Sequence, residues 1–274
     1  VVYATAINHG QHPCNVFTDG PVTFTNPADP NQGWTPKNSD GYSFQKVTIR
    51  QALARSINTI AAKMVEYLSA DDMTGVQGGE KIVEMAHKLG IKGPLDAVPA
   101  ICLGSSDVSI YEMVGAYSSF VNSGVWTEPI FITKIEDRSG KVIHEFVPRK
   151  EEAMSEETAY KMIYMLMGGL QERGGTSLGL YKYDFIKDNQ VGGKTGTTSN
   201  NSDAWYMGLT KDLVTGVWSG GDDRSIHFRQ TAYGQGARQA MPAYAYYMEY
   251  VYGDKSLGYE KGSFPKPESI ASDE

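Results

Sequence analysis

Apolar residues recur at helical spacing over residues 49–68, and this pattern predicts two consecutive helices. The members are Ile49, Leu53, Ile60, Met64 and Leu68. Thr48 is a favourable N-cap for the first helix, predicted to run through residue 53, and the second helix is predicted to begin at Asn58 and end near residue 68. Ser56 lies where the two helices meet, and serine and asparagine both prefer helix ends to helix interiors.

The rest of the chain shows more helical periodicity and then a cluster of strand-like runs. Further helices are predicted at 79–89, 110–121, 156–171 and 240–252. A hairpin is predicted at 130–146, and strands are predicted at 190–198, 204–210 and 213–220. Helices followed by strands and a closing helix indicate an α+β fold with an antiparallel sheet.

Two segments are predicted to be irregular. Residues 8–46 are rich in Gly, Pro, Asn and Asp, which predicts a long loop with one short strand at 22–24. Residues 258–274 are rich in Pro, Ser and Lys, and we expect an unstructured tail there. The remaining residues, 1–257, are expected to form one domain.

The composition is that of an ordinary globular protein, and it excludes some classes of function. Of the 274 residues, 41% are hydrophobic and 21% are charged, with a net charge of −7. This acidic balance argues against nucleic-acid binding, which needs a basic surface to replace the counterions of phosphates. No apolar run approaches the roughly 20 residues that cross a bilayer. Cys14 and Cys102 are too few for a disulfide scaffold and are interpreted as free thiols, with a single bridge as the alternative.

The first candidate motif follows a pair of glycines at the start of the strand cluster. It consists of Lys194, Thr195, Gly196, Thr197 and Thr198. The lysine can bind a substrate carboxylate, the threonine hydroxyls add hydrogen bonds, and a glycine beside a strand edge lets a peptide approach as an extra strand. A glycine-rich turn with incidental polar residues is the alternative. A phosphate-binding loop is excluded, because the glycine it requires five residues before Gly193 is Asp188.

The second candidate motif is Ser56, Ile57 and Asn58 at the junction of the first two predicted helices. A hydroxyl and a carboxamide at such a junction could relay a proton and orient an amide in a cleft. Taken alone, the two residues are better explained as helix caps. Their combination with Lys194-Thr195-Gly196 changes this interpretation, because S-x-N followed by K-T-G accompanies S-x-x-K in penicillin-binding proteins and class A β-lactamases.

The chain resembles the transpeptidase domain of bifunctional (class A) penicillin-binding proteins over nearly its whole length. The matching segments are 34–38, 41–42, 48–59, 103–105, 116–117, 122–124, 174–176, 193–198 and 203–208. The last two are the most specific, reading G-K-T-G-T-T and D-A-W-Y-M-G. The resemblance implies a β-lactamase/transpeptidase-like fold, in which an antiparallel sheet is flanked by helices and joined to a helical subdomain.

The resemblance also implies a site and a reaction. Ser56 would take part in proton transfer, Asn58 would hold the donor peptide's amide, and Lys194 would lie in the cleft. The remaining members of the first motif, Thr195 to Thr198, would bind substrate. The implied activity is D,D-transpeptidation: a serine attacks the D-Ala–D-Ala bond of a peptidoglycan stem peptide, and the acyl group then passes to an amine. β-Lactams would acylate the same serine, at the extracytoplasmic face of the bacterial cytoplasmic membrane.

No cofactor or metal is implied. His9, His12 and Cys14 have loose metal-ligand spacing, but they fall in a loop of the family and are interpreted as ordinary loop residues.

The S-x-x-K element is the main departure from the family pattern. It is expected just upstream of Val1, together with the first strands of the sheet, and the membrane anchor is expected further upstream. Within the chain, Ser56 is followed at that spacing by Thr59 and Ser202 by Trp205. We therefore expect the chain as written to lack the nucleophile and its lysine. A catalytically inactive module that binds peptidoglycan peptides or β-lactams, and a serine β-lactamase, are the alternatives.

Overall fold

A computed structural model describes residues 1–26 and 28–271. The helices are α1 (Val2–Asn8), α2 (Ile49–Arg55), α3 (Asn58–Ser69), α4 (Val76–Lys88), α5 (Ile110–Val121), α6 (Glu156–Gln171), α7 (Thr231–Gly234), α8 (Ala240–Gly253) and α9 (Glu268–Ala271). The strands are β1 (Val16–Thr18), β2 (Phe24–Asn26), β3 (Asp29–Trp34), β4 (Lys46–Thr48), β5 (Val125–Thr127), β6 (Lys134–Glu136), β7 (Val142–Glu145), β8 (Lys150–Glu152), β9 (Gly192–Thr197), β10 (Asp203–Leu209) and β11 (Val214–Gly220). None of the described helices is both long and apolar enough to span a bilayer.

The two helices predicted around Ser56 are present. Thr48 and Gln51 form a capping box at the start of α2, which satisfies backbone N–H groups that the helix itself leaves unpaired. Ser56 ends α2 in the left-handed region, with φ 59° and ψ 45°. This residue turns the chain sharply, and α3 begins two residues later at Asn58.

The largest sheet is antiparallel and has the strand order β11–β10–β9. Its register pairs Lys194 on β9 with Met207 on β10. Gly193 is required for this packing, since a Cβ there would lie 2.1 Å from the hydroxyl oxygen of Tyr206. Among the described strands β9 pairs only with β10, so its other edge is unpaired and lies beside the predicted cleft.

Helix α6 connects the sheet to the helical part of the molecule. It contacts β9 as well as α1, α2 and α5, and its apolar residues are buried along nearly its whole length. Helix α8 packs against β10 and β11 through buried residues such as Tyr244 and Met248. The predicted antiparallel sheet flanked by helices is confirmed.

The segments expected to be irregular contain more order than the sequence indicated. The described part of residues 8–46, with the start of β4, forms two separate strand pairs, β1 with β4 and β2 with β3. Near the C-terminus, Phe264 is 3% exposed and packs into the main core. Gln190 N–H donates to the carbonyl of Gly262 at 2.9 Å. Residues 262–264 are therefore held against the fold, unlike the unstructured tail predicted there, while residues 272–274 lie outside the described residues.

The two cysteines are not bridged. Cys14 is exposed, Cys102 is partly buried, and both are free thiols. Burial raises the pKa of Cys102 to about 12, so this thiol stays protonated at neutral pH.

Candidate active site

The two candidate motifs meet in space. The Nζ of Lys194 donates a hydrogen bond to the Oγ of Ser56 at 2.8 Å, although the two residues are 138 positions apart in the chain. Lys194 Nζ also donates to the carbonyl of Thr195 at 2.6 Å. An edge strand and a helix junction thus contribute one polar group each to a shared site.

Lys194 is a desolvated cation. Its side chain is half-buried on β9, and desolvation by the surrounding protein lowers its pKa to about 8. In the described part of the chain no carboxylate oxygen lies within 4.0 Å of its Nζ. A half-buried, desolvated ammonium without a carboxylate partner is electrostatically suited to an anionic ligand.

Ser56 is held in place because α2 is anchored to α6 and to the two residues that follow it. The guanidinium of Arg50 pairs with Glu172, donates to the carbonyl of Tyr164 at 3.0 Å and lies 4.2 Å from the centroid of the Tyr164 ring. Nε of Arg55 donates to the carbonyl of Arg173 at 2.9 Å. The last turn of α2 is therefore fixed, and the exposed Ser56 hydroxyl projects from a rigid support.

A loop of glycine and threonine, residues 174–176, follows α6 and is hydrogen-bonded to the end of α2. The N–H of Thr176 donates to the carbonyl of Ala54 at 3.0 Å, which satisfies one of the carbonyls left unpaired at the end of α2. Gly175 must be a glycine here, because a Cβ would lie 2.3 Å from the carbonyl oxygen of Gly169. The loop 174–176, matched to the family by sequence, thus supports the serine, whereas the hydrogen bonds of the Lys194 ammonium within the described residues go to Ser56 and Thr195.

Asn58 faces the loop at residues 36–38. Its Nδ2 donates to the carbonyl of Lys37 at 2.9 Å, and the neighbouring Asn38 accepts from the N–H of Thr59 at 3.1 Å. Asn58 therefore lies at the start of α3, two residues after Ser56, and its amide nitrogen already donates to the loop.

Asp19 is the centre of a hydrogen-bond network behind this loop, and sequence reasoning missed it. It is 3% exposed and accepts from Thr59 Oγ1 at 2.6 Å, from Asn38 Nδ2 at 2.8 Å and from both N–H and Oγ of Ser43. Although burial opposes ionisation, these donors outweigh it and lower the pKa of Asp19. The Asp19-Gly20-Pro21 stretch indicated only a turn, because a partner 40 positions away leaves no local pattern.

The threonines of the motif that begins at Lys194 differ in their surroundings. The Oγ1 of Thr197 accepts from the N–H of Gly236 at 3.0 Å, and the side chain is exposed. The Oγ1 of Thr198 accepts from the N–H of Asp203 at 2.9 Å and lies 3.1 Å from Ser202 Oγ. Thr198 is thus part of the turn between β9 and β10, whereas Thr195 is half-buried and has no hydrogen bond from its hydroxyl within the described residues.

The sequence profile described as the penicillin binding protein transpeptidase domain matches residues 1–218 of this chain, well over half of its length. The chain belongs to this family. Penicillin-binding protein 1A of Aquifex aeolicus is 31% identical over 251 residues, and penicillin-binding protein 1B of Vibrio cholerae is 30% identical over 274 residues. These matches cover 92% and 99% of this chain but 32% of each relative, so the chain spans about a third of the length of these curated relatives.

Solved structures agree with this assignment. Penicillin-binding protein 1A from Haemophilus influenzae matches with a TM-score of 0.80 and 27% identity, over 97% of this chain and 42% of that chain. PonA1 from Mycobacterium tuberculosis matches with a TM-score of 0.73 and 21% identity, over 97% and 69% respectively, which supports the fold alone. The predicted transpeptidase-like fold is confirmed.

Two serines have a lysine three residues later, and sequence reasoning passed over both. They are Ser43, followed by Lys46, and Ser263, followed by Lys266. An S-x-x-K pair works together when a helix places both side chains on one face. Neither stretch is helical, and Phe44, between Ser43 and Lys46, has a positive φ of 56°. Ser43 Oγ also donates a hydrogen bond to Asp19 Oδ2 at 2.7 Å. Because neither pair lies on a helix, neither resembles the nucleophile motif of the penicillin-binding protein transpeptidases.

The histidines near the start of the chain form local contacts. Nδ1 of His9 lies 2.8 Å from the carbonyl of Thr5, and Nδ1 of His12 accepts from the N–H of Cys14 at 3.3 Å. Across residues 1–26 and 28–271, no group of three or more His, Cys, Asp or Glu side chains is arranged to hold a metal ion.

Proposed function

We propose that this chain is the substrate-holding part of a peptidoglycan D,D-transpeptidase, an enzyme that cross-links stem peptides by serine acyl transfer. The contact between Lys194 Nζ and Ser56 Oγ carries this proposal, because it unites the S-x-N and K-T-G motifs at 2.8 Å. Family membership supports the same conclusion. β-Lactams, which imitate the D-Ala–D-Ala end of the stem peptide, are the expected inhibitors.

Lys194 would bind the terminal carboxylate of the donor peptide. Its ammonium group is already desolvated and lacks a carboxylate partner in the described residues. A ligand carboxylate would therefore provide the negative charge that no carboxylate of the described residues provides. Thr195 and Thr197 would donate hydrogen bonds to the same carboxylate. The unpaired edge of β9 would accept the peptide backbone as an additional strand.

Ser56 would relay protons during acyl transfer. Its hydroxyl accepts from Lys194, which leaves its own proton free for a second partner in the cleft. A nucleophilic serine would attack the D-Ala–D-Ala carbonyl, and its hydroxyl proton would pass through this pair to the departing D-alanine amine as the C–N bond breaks. An amine of a second stem peptide would then attack the ester and release the serine. Asn58, together with Gly196 and Thr198, would shape the rest of the cleft.

The wider setting follows from the substrate. Peptidoglycan lies outside the cytoplasmic membrane, so we propose an extracytoplasmic location. We propose residues 1–257 as the transpeptidase domain, with residues 262–264 packed against it. With a net charge of −7, the chain is a poor partner for nucleic acid.

Release of D-alanine from a synthetic stem peptide tests this function directly in the full-length protein. The wild type should release D-alanine and transfer the acyl group to an added amine, and Lys194→Ala should reduce both by about 100-fold or more, as loss of an electrostatic ligand contact does. Lys141→Ala, which changes an exposed lysine in the hairpin turn, is the matched control and should have no effect. Peptide binding without D-alanine release from the wild type would favour the inactive binding module instead.

A further inference from the structure

We propose that Gly236 is a positioning residue that fixes the Thr197 hydroxyl as a hydrogen-bond donor towards the carboxylate of the ligand. The inference rests on the proposed function, since it concerns how the same cleft recognises its ligand. It begins from the hydrogen bond in which the Gly236 N–H donates to Thr197 Oγ1 at 3.0 Å.

This hydrogen bond sets the direction of the hydroxyl proton. A hydroxyl has one donor hydrogen and two acceptor lone pairs, and the Gly236 N–H uses a lone pair. Within the described residues the hydrogen of Thr197 has no acceptor, and the side chain is exposed at the end of β9. The O–H is therefore free to donate to an anionic group in the cleft.

Gly236 is itself fixed by the helix that follows it. Its carbonyl accepts from the N–H of Met241 at 2.9 Å, in the first turn of α8. Met241 is 6% exposed, and Tyr244 one turn later is fully buried against the sheet. The amide that orients Thr197 is thus tied to a packed helix.

Only glycine fits at this position. A Cβ on residue 236 would lie 2.4 Å from the carbonyl oxygen of Trp205 and 2.5 Å from that of Gly196. Both atoms are backbone of the paired strands β9 and β10, which cannot move aside as a flexible side chain would. A methyl group must therefore push the segment away from β9 and break the hydrogen bond to Thr197.

Acylation of the full-length protein by benzylpenicillin and by its methyl ester tests this role, with intact-mass spectrometry as the readout. Gly236→Ala should slow acylation by the free acid about 10- to 100-fold, the effect of losing a hydrogen bond to a charged group, and should leave acylation by the ester nearly unchanged. Thr197→Val should show the same selectivity, Thr197→Ser should retain wild-type rates, and the double variant should be no slower than either single variant. Gly253→Ala, at the last residue of α8 with nothing within 4 Å of the added Cβ, is the matched control.

Equal slowing with acid and ester would assign Gly236 a purely structural role and overturn the inference, as would wild-type rates in Gly236→Ala. If the wild type is not acylated, the proposed function fails. Amide hydrogen exchange at Gly236 then still tests the contact. Exchange should be faster in Thr197→Val than in Thr197→Ser, and equal exchange in the two variants would overturn the inference by itself.

Discussion

Replacing Lys194 by methionine should separate the stability of the fold from its activity. The ammonium group is desolvated on β9, its pKa is lowered to about 8, and no carboxylate of the described residues lies within 4.0 Å of it. Methionine has a similar length without the charge. We expect Lys194→Met to raise the free energy of unfolding while abolishing acylation by penicillin.

The change in the free energy of unfolding caused by Lys194→Met follows from two opposing contributions. A pKa lowered from 10.5 to about 8 means that the charged form costs about 3 kcal/mol in the folded state at neutral pH. Methionine removes this cost but also loses the hydrogen bonds to Ser56 Oγ and the Thr195 carbonyl, each worth about 1 kcal/mol. The net gain is about 1 kcal/mol, or about 2–4 °C in Tm for a domain of this size.

The stability difference between Lys194→Met and the wild type should decrease as the pH rises. Below pH 8 the lysine is protonated in both the folded and unfolded states, so the full cost is present. Between pH 8 and 10.5 the folded state releases the proton and the unfolded state keeps it, so the stability of the wild type rises with pH. The advantage of Lys194→Met should therefore shrink and reverse over this interval.

Calorimetry of the full-length protein at pH 7 and pH 10 measures this difference, with the transition that penicillin shifts taken as that of this domain. Lys141→Met, at an exposed position in the hairpin turn, is the control and should leave Tm almost unchanged at both pH values. A Lys194→Met variant that is less stable than the wild type at pH 7, by an amount that does not vary with pH, would refute the reasoning.

Three further substitutions test the support of the site. Asp19→Asn replaces an acceptor oxygen by a donor in a buried network, and it should lower the free energy of unfolding in urea by about 2–3 kcal/mol at pH 7. The lowered pKa of Asp19 makes its stabilising contribution largest above the unfolded-state pKa of 3.8. The loss of stability in Asp19→Asn should therefore be smaller at a pH below 3.8. Gly193→Ala places a Cβ 2.1 Å from the hydroxyl of Tyr206 and should lower Tm by several degrees and slow penicillin labelling; an unaffected variant would contradict the close packing. Phe264→Ala removes a side chain that is 3% exposed and should cost about 3–5 kcal/mol, whereas a near-zero change would show that residues around 264 do not pack as described.

The elements that could be predicted from the sequence are those whose signals are local. Helices α5 and α6 have the bounds that their periodicity predicts, and the Ser155 side chain caps α6 by accepting from the N–H of Thr158. Strands β9, β10 and β11 also lie within one or two residues of the predicted runs. Each of these elements has its apolar spacing and end signals within its own residues.

What could not be predicted depends on contacts between distant residues. The burial of Phe264 arises from its packing into the main core, and composition alone made that stretch look unstructured. Asp19 and Gly236 carry no motif, since their roles arise from Thr59 and Thr197, which are far away in the chain. Only the family resemblance placed Ser56 and Lys194 in one site. Taken alone, the first is explained by a helix cap and the second by a glycine-rich turn.

The measurement that tests the account most directly is covalent labelling of the full-length protein by a fluorescent penicillin. We predict a single adduct per molecule on the wild type, competed by unlabelled benzylpenicillin, with labelling strongly reduced in Lys194→Ala and unchanged in Lys141→Ala. Absence of labelling in the wild type, or equal labelling in Lys194→Ala, would contradict the claim that Ser56 and Lys194 form the substrate-holding side of a penicillin-sensitive transpeptidase site.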